Sequence, residues 1–272
     1  DNAIRTLYGN PQTVKQYADN SQYVNADGYR AMFEAANHRM WDITSGIMLW
    51  KLNSCWPDVG WQIYDWFLNP NAAYYFSKKA MEPVHIQMNA NSRMISVINR
   101  TQKPLDKFLV EAEIVDFNMK TVWKHSDEIN VEPDSYKEIT EVPQALKSTP
   151  VYFIRLKLKD AAGKLISDNL YWQCPQHEDF SPLTVLPKVE LTKTVSITDQ
   201  DKELRFDVTL TNESNSLSFF NRVKLCSGKT GTELLPTFWS DNYVTLFPGE
   251  TKTITAIIAK SDLKENPIIE IE

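Results

Sequence analysis

Two different periodicities divide this chain near Glu82-Pro83. From Ala26 to Ile47, apolar residues recur at helical spacing, with Tyr29, Met32, Phe33, Ala36 and Met40 on one stripe and Glu34, Asn37 and His38 off it. The spacing predicts an amphipathic helix that Asp27 can cap and that ends where Gly46 lets the chain turn. Gly46 to Asn53 then reads as an apolar run without polar alternation, which predicts a strand covered on both faces, as in a parallel sheet. Gln62 to Phe67 and Ala72 to Met81 read as helical or irregular aromatic segments, completing a helix–strand–helix series of α/β character.

After Pro83 the pattern becomes strict alternation. Phe108, Val110, Ala112 and Ile114 point one way and Glu111 and Glu113 the other. The same code recurs in Tyr152, Ile154, Leu156 and Leu158, in Leu204, Phe206, Val208 and Leu210, and in Ile254, Ala256 and Ile258. Short strands separated by turns, such as Asp160-Ala161-Ala162-Gly163, predict β-sandwiches. A weak repeat doubles the module. Met94 to Thr101 aligns with Phe206 to Ser214, each a strand running into an Asn-containing turn, and Glu132 to Thr140 aligns with Phe247 to Thr255. The three prolines Pro175, Pro182 and Pro187 mark a linker over Gln176 to Lys188. The predicted organisation is therefore mainly β: an α/β piece over residues 1–84, then two immunoglobulin-like β-sandwiches over 85–180 and 181–272.

One strand with its flanking helices cannot bury both faces of a parallel sheet, so the α/β piece must rest on a sandwich, on a second copy or on further strands. With 42% hydrophobic residues the chain has ample material for packed cores. Its net charge of -6 argues against a nucleic-acid or anionic-membrane partner, which needs clustered Lys and Arg. Cys55, Cys174 and Cys226 lie far apart without metal-ligand spacing, and His38, His85, His125 and His177 are scattered, so neither a metal nor any other cofactor is expected. No apolar run approaches a membrane span, and the compartment itself is not written in these residues.

The run Trp50-Lys51-Leu52-Asn53-Ser54-Cys55-Trp56-Pro57-Asp58-Val59-Gly60-Trp61-Gln62-Ile63-Tyr64-Asp65-Trp66, followed by Ala73 to Pro83, resembles glycoside hydrolases of family two, above all exo-β-glucosaminidases and β-mannosidase-like members. Tyr29 to Asn37 is similar to the helix preceding the last barrel strand in that family. Asp168-Asn169-Leu170-Tyr171-Trp172 and the stretch Leu235 to Tyr243 before Phe247-Pro248-Gly249-Glu250 look like its two C-terminal sandwiches. The resemblance implies that residues 1–84 are the remnant of a (β/α)8 catalytic barrel, with Gly46 to Asn53 as its eighth strand. It further implies a parent that hydrolyses β-mannosides, β-glucosaminides or β-galactosides with retention, using two carboxyl groups roughly 5–5.5 Å apart. Those groups would come from strands four and seven, upstream of Asp1, so no catalytic residue is expected here and the fragment should be inactive. The implied partners are the upstream barrel and a β-linked oligosaccharide or glycoside, and the implied location is periplasmic or secreted.

Trp50, at the end of the expected barrel strand, is a candidate sugar contact, because an indole face suits the apolar face of a pyranose; the other reading is a core aromatic. Asn53 and Trp56 follow it, as a hydroxyl partner and a pocket wall or as loop cap and packing. Asp58 and Asp65 are more simply solvated or capping aspartates than a catalytic pair, and Glu34 a solvent-facing helix former. Trp239-Ser240-Asp241-Asn242-Tyr243 is either a carbohydrate platform or, more readily, a loop anchor. Asn99-Arg100-Thr101 and Asn212-Glu213-Ser214 fit the glycan acceptor pattern but read as turns. Besides an enzyme fragment, the exposed-aromatic motifs Trp56, Trp61, Trp66 and Trp239 leave open a stand-alone carbohydrate-binding module or a structural spacer.

Overall fold

The computed structural model describes residues 2–57, 62–144, 149–175, 179–263 and 266–272. It divides into two units: residues 1–50 with 76–184, and residues 51–75 with 185–272. Three helices are described: α1 (Asn2–Tyr8), α2 (Val14–Asn37) and α3 (Ala72–Ala80), and the division between units falls within α3.

The first unit is built on seven strands: β1 (Val84–Met88), β2 (Met94–Asn99), β3 (Leu105–Asp116), β4 (Thr121–Val131), β5 (Ser135–Glu141), β6 (Tyr152–Lys159) and β7 (Leu165–Gln173). They form the antiparallel sheets β1-β2-β5 and β4-β3-β6-β7. The alternation read from the sequence sets the core: Val110, Ala112, Ile114, Ile154, Leu156 and Leu158 are buried together with Ile86, Ile95 and Val97 of the other sheet. Outward, Glu113 pairs with Arg155 at 2.9 Å across the strands.

The second unit holds β8 (Thr192–Gln200), β9 (Glu203–Thr211), β10 (Ser218–Asn221), β11 (Val223–Ser227), β12 (Phe238–Trp239), β13 (Val244–Leu246), β14 (Thr251–Ala259) and β15 (Pro267–Ile271). Its main sheet runs β12-β14-β9-β8, with β10-β13 and β11-β15 as two further pairs. Phe206, Val208, Leu210, Ile254, Ala256 and Ile258 are its buried face.

The repeat corresponds to a shared turn. Asn99 and Asn212 are fully buried, and each amide donates to two main-chain carbonyls, of Lys103 and Glu132 in one case and of Ser216 and Leu246 in the other, at 2.8–2.9 Å. Each side-chain oxygen accepts the N–H and hydroxyl of the residue two further on, Thr101 or Ser214. The second half of the repeat matches too: Asp134 and Gly249 both take left-handed φ, 48° and 76°. The hydroxyl of each Asn-x-Ser/Thr triplet is thus a turn element, as is the amide that a glycan would need.

Two expectations are corrected. The helix predicted from Ala26 to Ile47 begins twelve residues earlier and stops at Asn37. Thr13, not Asp27, is its cap, its hydroxyl accepting the Gln16 N–H at 3.1 Å; polar residues dominate the first half, so hydrophobic periodicity is silent there. Trp41, in a left-handed conformation at φ 62° and tied by its indole N–H to the Asp134 carbonyl at 3.2 Å, takes the chain out of the helix before Gly46. The second correction concerns Gly46 to Asn53, which forms no strand: Met48 is 97% and Trp50 85% exposed, and Asn53 has only an isolated bridge to Tyr64. A strand exists only through its neighbours' N–H and C=O groups, and among the described residues the single parallel bridge between Asn53 and Tyr64 does not extend into a ladder.

Candidate functional site

The three candidate sugar-contact residues lie where the chain passes from one unit to the other, Trp50 closing residues 1–50 and Asn53 and Trp56 opening 51–75. Trp50 presents its indole to solvent. Asn53 is half-buried and its amide donates to the Ser54 carbonyl at 3.1 Å, a local loop contact. Trp56 is 59% exposed, with the Lys51 ammonium 5.3 Å from its ring centroid, a cation–π distance. Leu52 offers its carbonyl to the N–H groups of both Ile63 and Tyr64, closing the loop. Asp65 caps a turn, its carboxylate accepting the Asn69 N–H at 2.9 Å, which is the bland role expected of it. Asp58, Trp61 and His177 lie outside the described residues.

A buried cluster of ionisable groups lies elsewhere, at a place that pattern reading assigned to solvent. Glu34 is not solvent-facing; it is buried on α2, accepting the Tyr171 hydroxyl at 2.8 Å and the Asn169 amide at 2.6 Å. His85 is 0% exposed and sits between two carboxylates, with Nε2 3.2 Å from Glu34 and Nδ1 3.3 Å from Glu82. Burial disfavours its charged form, but the hydrogen bonds and charges of Glu34 and Glu82 outweigh this and hold its pKa above the ordinary histidine value. The Ser167 hydroxyl donates to Glu82 at 2.7 Å. One turn back on α2, buried Arg30 pairs with Asp27, donates to the Leu170 carbonyl and lies 4.3 Å over the Tyr171 ring. Burial opposes the guanidinium charge, yet Asp27 and Glu34 keep its pKa above its usual value.

This cluster binds α2 to β1 and β7. Its two carboxylates meet through a fully enclosed imidazole, so no sugar ring or attacking water can stand between them as glycosidase chemistry demands. The periodic signal was present but disguised: Asn20, Ala26, Arg30, Phe33, Glu34 and Asn37 are the buried residues of α2, and four of the six are polar. Asn37, also assigned to the outer face, is buried with its amide on the Ala80 carbonyl at 2.8 Å.

Trp239 to Tyr243 is an anchor. Trp239, Asn242 and Tyr243 are buried, and the Asn242 amide bridges the Val223 N–H and C=O at 2.7 and 2.8 Å.

Comparison with known proteins places these folds. Residues 92–177 match the family model of a mannosidase Ig/CBM-like domain, and residues 169–272 that of the exo-β-D-glucosaminidase Ig-fold domain. The chain carries the immunoglobulin-like domains of exo-β-glucosaminidases and β-mannosidases. It is 29% identical to an exo-β-D-glucosaminidase of Arthroderma benhamiae, over 91% of this chain and 30% of that protein. To one of Amycolatopsis orientalis it is 30% identical, over 96% of this chain and 28% of the other. The crystal structure of the Amycolatopsis orientalis exo-chitosanase superposes on the whole chain with a TM-score of 0.93 at 27% identity, using 35% of that structure. The chain thus spans about a third of the length of the relatives it matches. These homologues are glycoside hydrolases.

Proposed function

We propose that this chain is the C-terminal portion of a retaining, exo-acting β-glycosidase. Residues 1–84 are then the last elements of its barrel, the sandwiches brace that barrel, and the portion alone does not catalyse hydrolysis. The observation that carries the reading is the state of Gly46 to Asn53: a segment apolar on both faces in sequence forms no regular strand, with Met48 and Trp50 almost wholly in solvent. Leaving a side chain such as Met48 in water forgoes roughly 2 kcal/mol relative to burial, and a ring of parallel strands removes that cost. Within the complete barrel, Trp50, Asn53 and Trp56 reach the rim where sugar binds, Trp50 as an indole platform and Asn53 as a hydroxyl partner. Both catalytic carboxyl groups belong to the upstream barrel. The sugar is a β-mannoside, β-glucosaminide or β-galactoside; the similarity to exo-β-D-glucosaminidases along most of the chain favours the glucosaminide.

The test is complementation. The chain alone should leave chromogenic β-glucosaminide, β-mannoside and β-galactoside intact, and co-expression with the polypeptide encoded upstream should yield turnover that Trp50→Ala reduces. Hydrolysis by the chain alone, lost in Asp58→Asn, would overturn the placement of the chemistry. A second reading, a stand-alone carbohydrate-binding module, is favoured by the exposure of Trp56 and Trp66. Heat released on titrating chitosan- or mannan-derived oligosaccharides into the isolated chain would support it, and its absence would remove it.

A further inference from the structure

Strand β8 is the outer strand of the β12-β14-β9-β8 sheet, and among the described residues it pairs only with β9. All nine of its residues are exposed. An edge strand offers a row of unpaired N–H and C=O groups, which native sheets cover or blunt. The sequence of β8 is Thr192-Lys193-Thr194-Val195-Ser196-Ile197-Thr198-Asp199-Gln200. Turned antiparallel on itself about Ser196, it is self-complementary: Lys193 meets Asp199, Thr194 meets Thr198, Val195 meets Ile197, and Ser196 meets its own copy. Opposite charges, threonine pairs and β-branched pairs are each favourable across strands. The neighbouring registers lose this match. Centring on Val195 sets Lys193 against Ile197, centring on Ile197 sets Val195 against Asp199, and any one-residue slip exchanges the two faces.

The faces agree as well. Register with β9 puts Lys193, Val195 and Ile197 beside Leu210, Val208 and Phe206, the buried side of the sheet. Val195 and Ile197 nevertheless remain 41% and 58% exposed, at an open margin of the core. A second β8 would extend that core by another Val195–Ile197 pair. On the other face Thr192 and Thr194 adjoin Thr211 and Thr209, whose hydroxyls already pair with Thr251 and Thr253 at 3.0 and 2.8 Å, so the threonine rows continue across the join. Lys193 donates to the Ile269 carbonyl and Asp199 pairs with Lys260, and each keeps further hydrogen-bonding capacity for a partner.

We propose that β8 is a homodimer edge: two copies of this chain join β8 to β8, antiparallel about Ser196, into one continuous eight-stranded sheet. Sedimentation equilibrium of the chain should show a reversible monomer–dimer equilibrium. Lys193→Glu and Asp199→Lys each set like charges opposite one another at both ends of the join, raising the dissociation constant at least about tenfold. An equimolar mixture of K193E and D199K chains should dimerise again, because each then meets opposite charge at both ends. In a Cys55→Ser background, Ser196→Cys should cross-link to its own copy on mild oxidation, whereas Thr192→Cys, facing Gln200, should not. A chain monomeric up to its solubility limit would overturn the proposal. So would a dimer indifferent to both charge reversals, or a mixture that stays monomeric while the Ser196→Cys chain fails to cross-link.

Discussion

Replacing Glu34 by Gln tests the buried cluster most directly. The carboxylate accepts from Tyr171 and Asn169 and contacts His85, and its charge faces Arg30. Removing one partner of a buried ion pair costs about 3–5 kcal/mol. Asp27 remains for Arg30 and Glu82 for His85, so the lower end of that range applies, about 3 kcal/mol. With a urea dependence of about 2 kcal/mol per molar, the transition of the first unit should fall by about 1.5 M. The pH dependence supplies an internal check. The pKa of His85 is raised in the folded chain, so its contribution is complete below the unfolded value of about 6.5 and is lost as pH rises through the folded value. Wild-type stability should decline across that window, and E34Q should decline less because one of the two carboxylates that favour the imidazolium is gone. Urea titrations at several pH values, with hydrogen exchange of α2 amides as a local readout, measure both quantities. A loss below about 1 kcal/mol, or equal pH slopes in the two proteins, would refute the view that Glu34 and a charged His85 hold α2 in place.

Asn99→Ala and Asn212→Ala should each cost about 2 kcal/mol, since each removes the hydrogen bonds of a buried amide to two main-chain carbonyls and a turn N–H; thermal melting followed by separate probes of the two units measures this. Trp50→Ala should change the stability of this chain by less than about 0.5 kcal/mol because the indole lies in solvent, as a urea titration would establish. Burial pushes Tyr23 up to about 12, while an unfolded tyrosine ionises near about 10. Its contribution is therefore intact below about pH 10 and should disappear between 10 and 12, coinciding with the rise of tyrosinate absorbance.

The amino-acid order determined whatever depends on near neighbours and on simple alternation. Strands β3, β6, β9 and β14 lie where apolar and charged residues alternate, because a two-residue period leaves only one way to face a core. The doubled turn at Asn99 and Asn212 was legible for the same reason, its hydrogen bonds being largely local. The family resemblance of the sandwiches was legible in short motifs that recur in order along most of the chain. Tertiary structure decided what becomes of polar residues and of lone strands. Glu34 and His85 look solvent-seeking in any local window, and they are buried because Tyr171 and Asn169 of β7 reach Glu34 and Glu34 of α2 reaches His85, all from distant parts of the chain. Gly46 to Asn53 has the composition of a buried strand and is not one, since a strand is a relation between segments and, among the described residues, its one bridge, from Asn53 to Tyr64, does not grow into a ladder.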